Sequence, residues 1–209
     1  MKRFIDLMQS RVLLYDGSKG VMLQQRGLKG EEAAESWNIL RPDEVKDIYN
    51  QYKQAGVDVL QTNTFPGNEV TLGSHGLGDR MYEINFAGVK LAKEIAGEDT
   101  FVAATVGPTG LFFEPAGTLT FDTAYSLYKE QVQVLEEAGA DAVNFETFTD
   151  LYELRAAVLA AVENTKLPVI ASATFGNGSR TLSGNAAEAC AVVCQSLGSA
   201  MVGANCSGG

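Results

Sequence analysis

One phrase is written three times along this chain: AGVDVLQTNTF at 55–65, AGADAVNFETF at 138–148 and, more loosely, LGSAMVGANCS at 197–207. Each copy follows a stretch with amphipathic helical spacing, at 42–54, 121–137 and 186–196. Each carries a glycine suited to ending a helix and then runs into β-prone residues. Helix, glycine, strand and loop in that order is the grammar of an α/β protein with parallel strands.

Three further strands fit between the copies: VLLYD at 12–16, FVAATV at 101–106 and PVIASATF at 168–175. Helical spacing also covers 79–97 and 149–163, so the sequence predicts six strands with helices between them. No low-complexity linker interrupts the series, and residues 1–209 read as one domain. An open doubly wound sheet satisfies the pattern. A (β/α)8 barrel satisfies the unbroken series better, although a whole barrel has eight units and typically ~250 residues.

The register of the repeat places chemistry. Seven residues beyond Gly56, Gly139 and Gly198 stand Asn63, Glu146 and Asn205, with Cys206 one further on. Asp16 closes the first predicted strand, Gly107 the third and Thr174 the fifth. Polar residues therefore gather at the C-terminal ends of the strands, where parallel α/β folds bind ligands.

Composition narrows the function without choosing a substrate. A net charge of −10 argues against nucleic acid or an anionic membrane surface as the main partner. No apolar run reaches the roughly 18 residues of a membrane span. Asp6, Gln9, Ser10 and Arg11 interrupt any signal-peptide core. Three cysteines without a secretion signal fit free thiols in a reducing cytoplasm.

Several residues can carry chemistry. Cys206 is either a packed thiol or, at a strand end beside Asn205, a ligand or nucleophile. Cys190 and Cys194 share a helix face among Ala187, Ala191 and Val193, which reads as core packing. Glu146 in an apolar strand needs a partner or a task. Together with Asp16 it can hold a substrate ammonium or form an acid/base pair. Glycine-rich turns at Asp16–Gly20, 107–110 and 183–185 either aim N–H groups at an anion or simply turn the chain. His75, the only histidine, lies in a glycine-rich polar loop and reads as surface.

Seven stretches in one order, LLYDGSKGVMLQ, ESWNILRPDEV, AGVDVLQTNTF, VGPTG, NFETFTDLYELRAAV, SATF…SRTLSG and GANCS, resemble the homocysteine S-methyltransferases. Within that family the likeness is to the N-terminal homocysteine-binding domain of cobalamin-dependent methionine synthases. The resemblance implies a (β/α)8 barrel in which a zinc ion held by three cysteines binds the homocysteine sulfur. It implies Cys206 as one zinc ligand, with the other two in a Gly-Gly-Cys-Cys motif that residues 1–209 do not contain. The chain is thus expected to be a barrel truncated after its sixth strand. The resemblance further implies Asp16 and Glu146 at the substrate ammonium and backbone around Gly17 and Ser18 at its carboxylate, while Asn63 and Asn205, from their place at the strand ends, are expected at the mouth or just behind it. Thr174 and Ser183 are weaker candidates. The implied donor is methylcobalamin on another domain or protein, a corrinoid partner favoured by the Gly-x-x-x-Arg stretch before TLSG.

The sequence departs from the family at Lys19 and Val21, where the turn after Asp-Gly usually holds a bulky residue and threonine. Lys19 puts a cation at the substrate mouth or points to solvent. Two other functions remain open from the residues alone. One is a non-catalytic module that binds a partner, the rest of the barrel included, through an open edge. The other is a metal-free barrel enzyme using Asp16 and Glu146 as acid and base.

Overall fold

The computed structural model describes residues 4–176 and 178–207. Five parallel strands make one sheet: β1 (Val59–Gln61), β2 (Phe101–Val106), β3 (Ala142–Phe148), β4 (Val169–Ala173) and β5 (Met201–Ala204). Their order in the sheet is their order in the chain. A doubly wound sheet reverses its order at a switch point, so the sequential order selects barrel-type winding.

Five helices return the chain between strands or lead into them: α4 (Pro42–Gln54), α6 (Met81–Ala96), α7 (Phe121–Glu137), α8 (Leu151–Asn164) and α9 (Ala187–Ser196). Their ends follow local rules. α4 starts with Pro42 in its first turn, with Asp43 and Glu44 beside it, and has Lys53 in its last turn. Thr120 and Asp150 cap α7 and α8 by accepting from the N–H groups of Thr123 and Tyr152. The three repeat glycines, Gly56, Gly139 and Gly198, have φ of 89°, 97° and 100°, the left-handed conformation that ends a helix and that side chains resist.

The predicted strand at 12–16 does not form as a strand. It lies beside β1 with a single bridge between Tyr15 and Val59, and the N–H of Asp16 donates to the Val59 carbonyl at 3.1 Å. Val12 and Leu14 are 91% and 58% exposed, so little packing holds the segment to a regular ladder. An ion pair between Arg11 and Asp58 pins its start.

Four short helices add to the predicted set: α1 (Phe4–Ser10), α2 (Lys19–Gln25), α3 (Trp37–Leu40) and α5 (Glu69–Gly73). α1 matters to the architecture. Its Phe4, Leu7 and Met8 join Val59, Phe101, Ala103, Ala142 and Ile170 in an apolar cluster on the sheet face turned away from the helices. Phe4 meets Phe101 edge-on, with ring centroids 5.3 Å apart. The opposite face carries the larger core, in which Tyr128, Phe145 and Phe148 pack between β3 and helices α7 and α8. β2 is buried on both faces, as a central parallel strand must be. No helix among the described residues is long and apolar enough to cross a membrane.

Candidate functional site

The C-terminal ends of the strands and the turn after Asp16 enclose a cavity of about 600 Å³. Asp16, Gly17, Ser18, Asn63, Glu146, Asn205 and Cys206, all singled out by their sequence positions, line it together. Lys19, Glu35, Gln61, Phe65, Thr105 and Thr147 complete much of the wall.

Asp16 is fully enclosed. Its Oδ1 receives Lys19 Nζ at 2.6 Å, and its Oδ2 receives the Gln61 N–H at 3.0 Å. The Asp16 side chain is 0% exposed and that of Lys19 10%. Burial pushes the Asp16 carboxyl up and the Lys19 ammonium down, each against the attraction of the other. Lys19 therefore points into the site and not to solvent.

Glu146 stands two residues after Asn144 on β3, on the same face as Gln61 of β1. Its Oε2 accepts from Gln61 Nε2 and Asn144 Nδ2, both at 2.9 Å. No donor among the described residues meets its Oε1. The β3–β4 register shifts between Phe145 and Phe148, an extra residue on β3. That bulge places Thr147 at φ 67°, a conformation costly for a β-branched residue.

Asn205 holds the bulge in place. Its Oδ1 accepts from the Thr147 N–H at 2.8 Å, and its Nδ2 donates to Thr147 Oγ1 at 2.8 Å. Thr174 Oγ1 donates to the Asn205 carbonyl at 3.0 Å, so Thr174 supports the mouth from behind. The Cys206 sulfur lies 3.5 Å from Asn205 Nδ2 and 4.0 Å from Thr147 Oγ1. Cys206 is exposed and has φ 48°, again left-handed. The ends of β3 and β5, with β4 between them, thus hold unfavourable backbone conformations through one asparagine, which presents the thiol at the rim.

Asn63 has a different task. Its Nδ2 donates to the Ala34 carbonyl at 2.8 Å and to Asn38 Oδ1 at 3.1 Å, tying the 34–38 segment over the cavity. Ser18 caps α2 through Oγ, which accepts from the Val21 N–H at 3.3 Å. A Cβ on Gly17 would stand 2.8 Å from the Tyr52 hydroxyl oxygen, so glycine lets the turn pass. Ser183 lies apart, bonded to the Thr149 carbonyl and Asn185 in its own loop.

The other glycine-rich turns are structural. The Gly107 N–H donates to the Phe65 carbonyl at 2.7 Å, and Gly184, at φ 91°, closes a turn on Thr181. Cys190 and Cys194 are 4% and 2% exposed and face Leu154, Ala171 and Val202 on the outer side of the sheet. Burial raises both thiols, Cys194 to about 11. His75 is exposed, with Nδ1 3.0 Å from the Glu31 carbonyl oxygen.

Glu35, Gln61, Asn144 and Thr147 join the site without being singled out by sequence. Gln61 and Asn144 are legible as polar residues within buried strands. Glu35 gives no local signal. It is 3% exposed, no side-chain donor among the described residues meets it, and burial pushes its carboxyl up to about 7.

A sequentially wound parallel sheet, with an exposed thiol and a carboxylate sharing one cavity at the strand ends, defines a barrel-type α/β protein with a thiol-bearing site. The chain belongs to the homocysteine S-methyltransferase family, whose profile matches residues 13–208. It is 31% identical to a methionine synthase of Mycobacterium tuberculosis, over 98% of this chain and 18% of that protein. A methionine synthase of Mycobacterium leprae is 30% identical over the same shares, 98% and 18%. The chain thus spans less than a fifth of the length of these curated relatives. Among solved structures it resembles the metallated form of the homocysteine methyltransferase MmuM from Escherichia coli. The TM-score is 0.83 at 18% identity, covering 96% of this chain and 77% of that one. The apo form of MmuM gives a TM-score of 0.76 at 17% identity, over 96% and 74%. The fold is that of the homocysteine methyltransferase barrel.

Among the described residues no group of three or more His, Cys, Asp or Glu side chains converges to hold a metal ion. Cys206 fits one coordination position of a thiolate site and does not make such a site alone.

Proposed function

We propose that this chain forms the homocysteine-binding part of a methyltransferase that transfers a methyl group to the homocysteine thiol, giving methionine. One observation carries this: the exposed Cys206 sulfur shares a cavity of about 600 Å³ with Glu146, whose Oε1 awaits a donor. Family membership supports the same acceptor.

In this reading Glu146 Oε1 accepts from the substrate ammonium. The Gly17 and Ser18 N–H groups, which meet no acceptor among the described residues, take its carboxylate. Asp16, paired with Lys19 and held by the Gln61 N–H, forms the wall beside the ammonium. Asp16 is already engaged by Lys19 Nζ and the Gln61 N–H, which speaks against a metal-free mechanism that needs its carboxylate free as acid or base. Asn205 fixes Cys206 at the rim, facing the substrate sulfur. Asn63 holds the 34–38 segment over the cavity.

Cys206 is proposed as one zinc ligand, the rest of the site lying outside the described residues. The metallated form of MmuM supports a metal in this chemistry. Bound zinc lowers the pKa of a thiol, which otherwise ionises near ~8.5. Methylcobalamin on a separate domain or protein is the proposed donor, supported by the likeness to methionine synthases. Three free thiols suit a reducing compartment such as the cytoplasm.

The test is a pair of measurements on wild type and Cys206→Ala in a protein that carries the remaining metal ligands: metal content of the pure protein, and methionine formed from homocysteine and methylcobalamin. Cys206 is exposed, so the variant is expected to fold. Zinc and activity should both be lost. Equal zinc and equal turnover in the two proteins would remove Cys206 from the chemistry.

A further inference from the structure

The cavity contains a buried cation whose hold on Asp16 uses only part of its donor capacity. Lys19 Nζ has three N–H donors. One meets Asp16 Oδ1 at 2.6 Å and another the Gly17 carbonyl at 3.3 Å. No oxygen acceptor among the described residues takes the third, although Nζ also lies 5.8 Å from the centroid of the Tyr52 ring. The side chain is nine-tenths buried, at 10% exposure, and Nζ is held against the wall that Glu146 and the Gly17–Ser18 turn share.

An ammonium group shielded from water and short of one acceptor needs an oxygen. Glu146 acts on Lys19 by charge, yet it makes no hydrogen bond to it. A molecule in the cavity can supply that oxygen, which the Tyr52 ring face does not. Charge counting gives its nature. Lys19 neutralises Asp16; of the other two carboxyl groups lining the cavity, burial pushes Glu35 up to about 7, and Glu146 is left without a cationic partner. A zwitterionic head group matches this: its ammonium faces Glu146 and its carboxylate, one carbon away, faces Lys19.

We propose that Lys19 is a specificity-determining residue that donates a charge-assisted hydrogen bond from Nζ to the α-carboxylate of the acceptor. This rests on the homocysteine reading and deepens it. The cavity then reads both charges of an α-amino acid with side chains, and a thiol lacking the carboxylate is rejected. Lys19 stays paired to Asp16 throughout, so no proton moves.

The test is calorimetric titration of the full chain, under reducing conditions, with three thiols. L-homocysteine carries both charges, 3-aminopropane-1-thiol lacks the carboxylate, and 4-mercaptobutanoate lacks the ammonium. Lys19→Met should weaken homocysteine and 4-mercaptobutanoate by about 10- to 100-fold and leave 3-aminopropane-1-thiol unchanged. Removing Lys19 alone strands Asp16 as an unpaired buried carboxylate, so the double variant Asp16→Asn with Lys19→Met is titrated beside it. The same selective loss is expected there, because the amide oxygen of the new asparagine still accepts from the Gln61 N–H. Equal loss for all three thiols would reduce Lys19 to packing. Tighter homocysteine binding in the variants would mean that Lys19 occupies the ammonium position, and would overturn the proposal. Wild-type protein that binds none of the three thiols would fail the homocysteine reading itself, and the proposal with it.

Discussion

The two ends of the sheet's inner face are built from the same strands and do opposite things. At the N-terminal end Val59, Phe101, Ala142 and Ile170 meet Phe4 of α1 in a dry cluster. Further along β1 and β3, at Gln61, Asn144 and Glu146, the face turns polar and opens on the cavity. Side chains on one face recur every second residue, so a single strand can carry both environments. One end supplies stability and the other gives some of it up. At the cavity end Asp16, Lys19 and Glu35 are buried, and Thr147 and Cys206 hold left-handed backbone. That division is the usual one in parallel barrels.

The strongest test of the division is at the dry end. Phe101 is 8% exposed and packs edge-on against Phe4. Phe101→Ala should cost about 3 kcal/mol or more, by lost burial and the void left behind. Urea unfolding measures it. Homocysteine affinity should not change beyond the fraction unfolded. A large drop in affinity with unchanged stability would erase the distinction between the ends.

The next test asks whether the cavity end stores strain electrostatically. Folding holds the Glu35 proton more tightly than the unfolded chain does, since its carboxyl is raised to about 7. Between the ordinary glutamate value and pH 7 the native state binds more protons, so stability falls as pH rises. The penalty should reach about 3 kcal/mol above pH 7 and vanish below roughly pH 4.5. Glu35→Gln removes it. The variant should be the more stable protein at pH 8 and show little advantage at pH 5, by urea unfolding at each pH. Glu153 shows the other way to bury a carboxylate in this molecule. It is equally buried, but its Oε1 accepts from the Thr109 N–H, Thr109 Oγ1 and Tyr128 OH.

What the sequence discloses follows the same line. Helices α4, α6, α7, α8 and α9 and the turn glycines between helix and strand are legible because their signals are local: spacing, caps and a positive φ. The strand-end residues are legible because a repeat with fixed length puts Asn63, Glu146 and Asn205 at one level. The segment at 12–16 has the β-prone residues of a strand, whereas a strand also needs neighbours to pack against. α1 carries its apolar residues at Phe4, Leu7 and Met8, a helical spacing that is present in the sequence but too short to stand out as an element. Glu35 and the free donor on Lys19 are beyond reach for a different reason. Burial without a partner is decided by which segments fold over a residue, and nothing next to it in the chain records that.

The finest test separates polar residues that serve the ligand from polar residues that merely begin a helix at the same end of the sheet. Asp150 follows β3 closely, and its Oδ1 accepts from the Tyr152 N–H at 2.7 Å at the start of α8. It does not line the cavity. Asp150→Ala should cost about 1 kcal/mol through the lost cap, read by urea unfolding. Homocysteine affinity should stay within about twofold, because β3 and its bulge are held by Asn205 and not by the cap. A loss of affinity of about tenfold would show that α8 and the bulge move together, and that the site is positioned by the helix as well as by the strand ends.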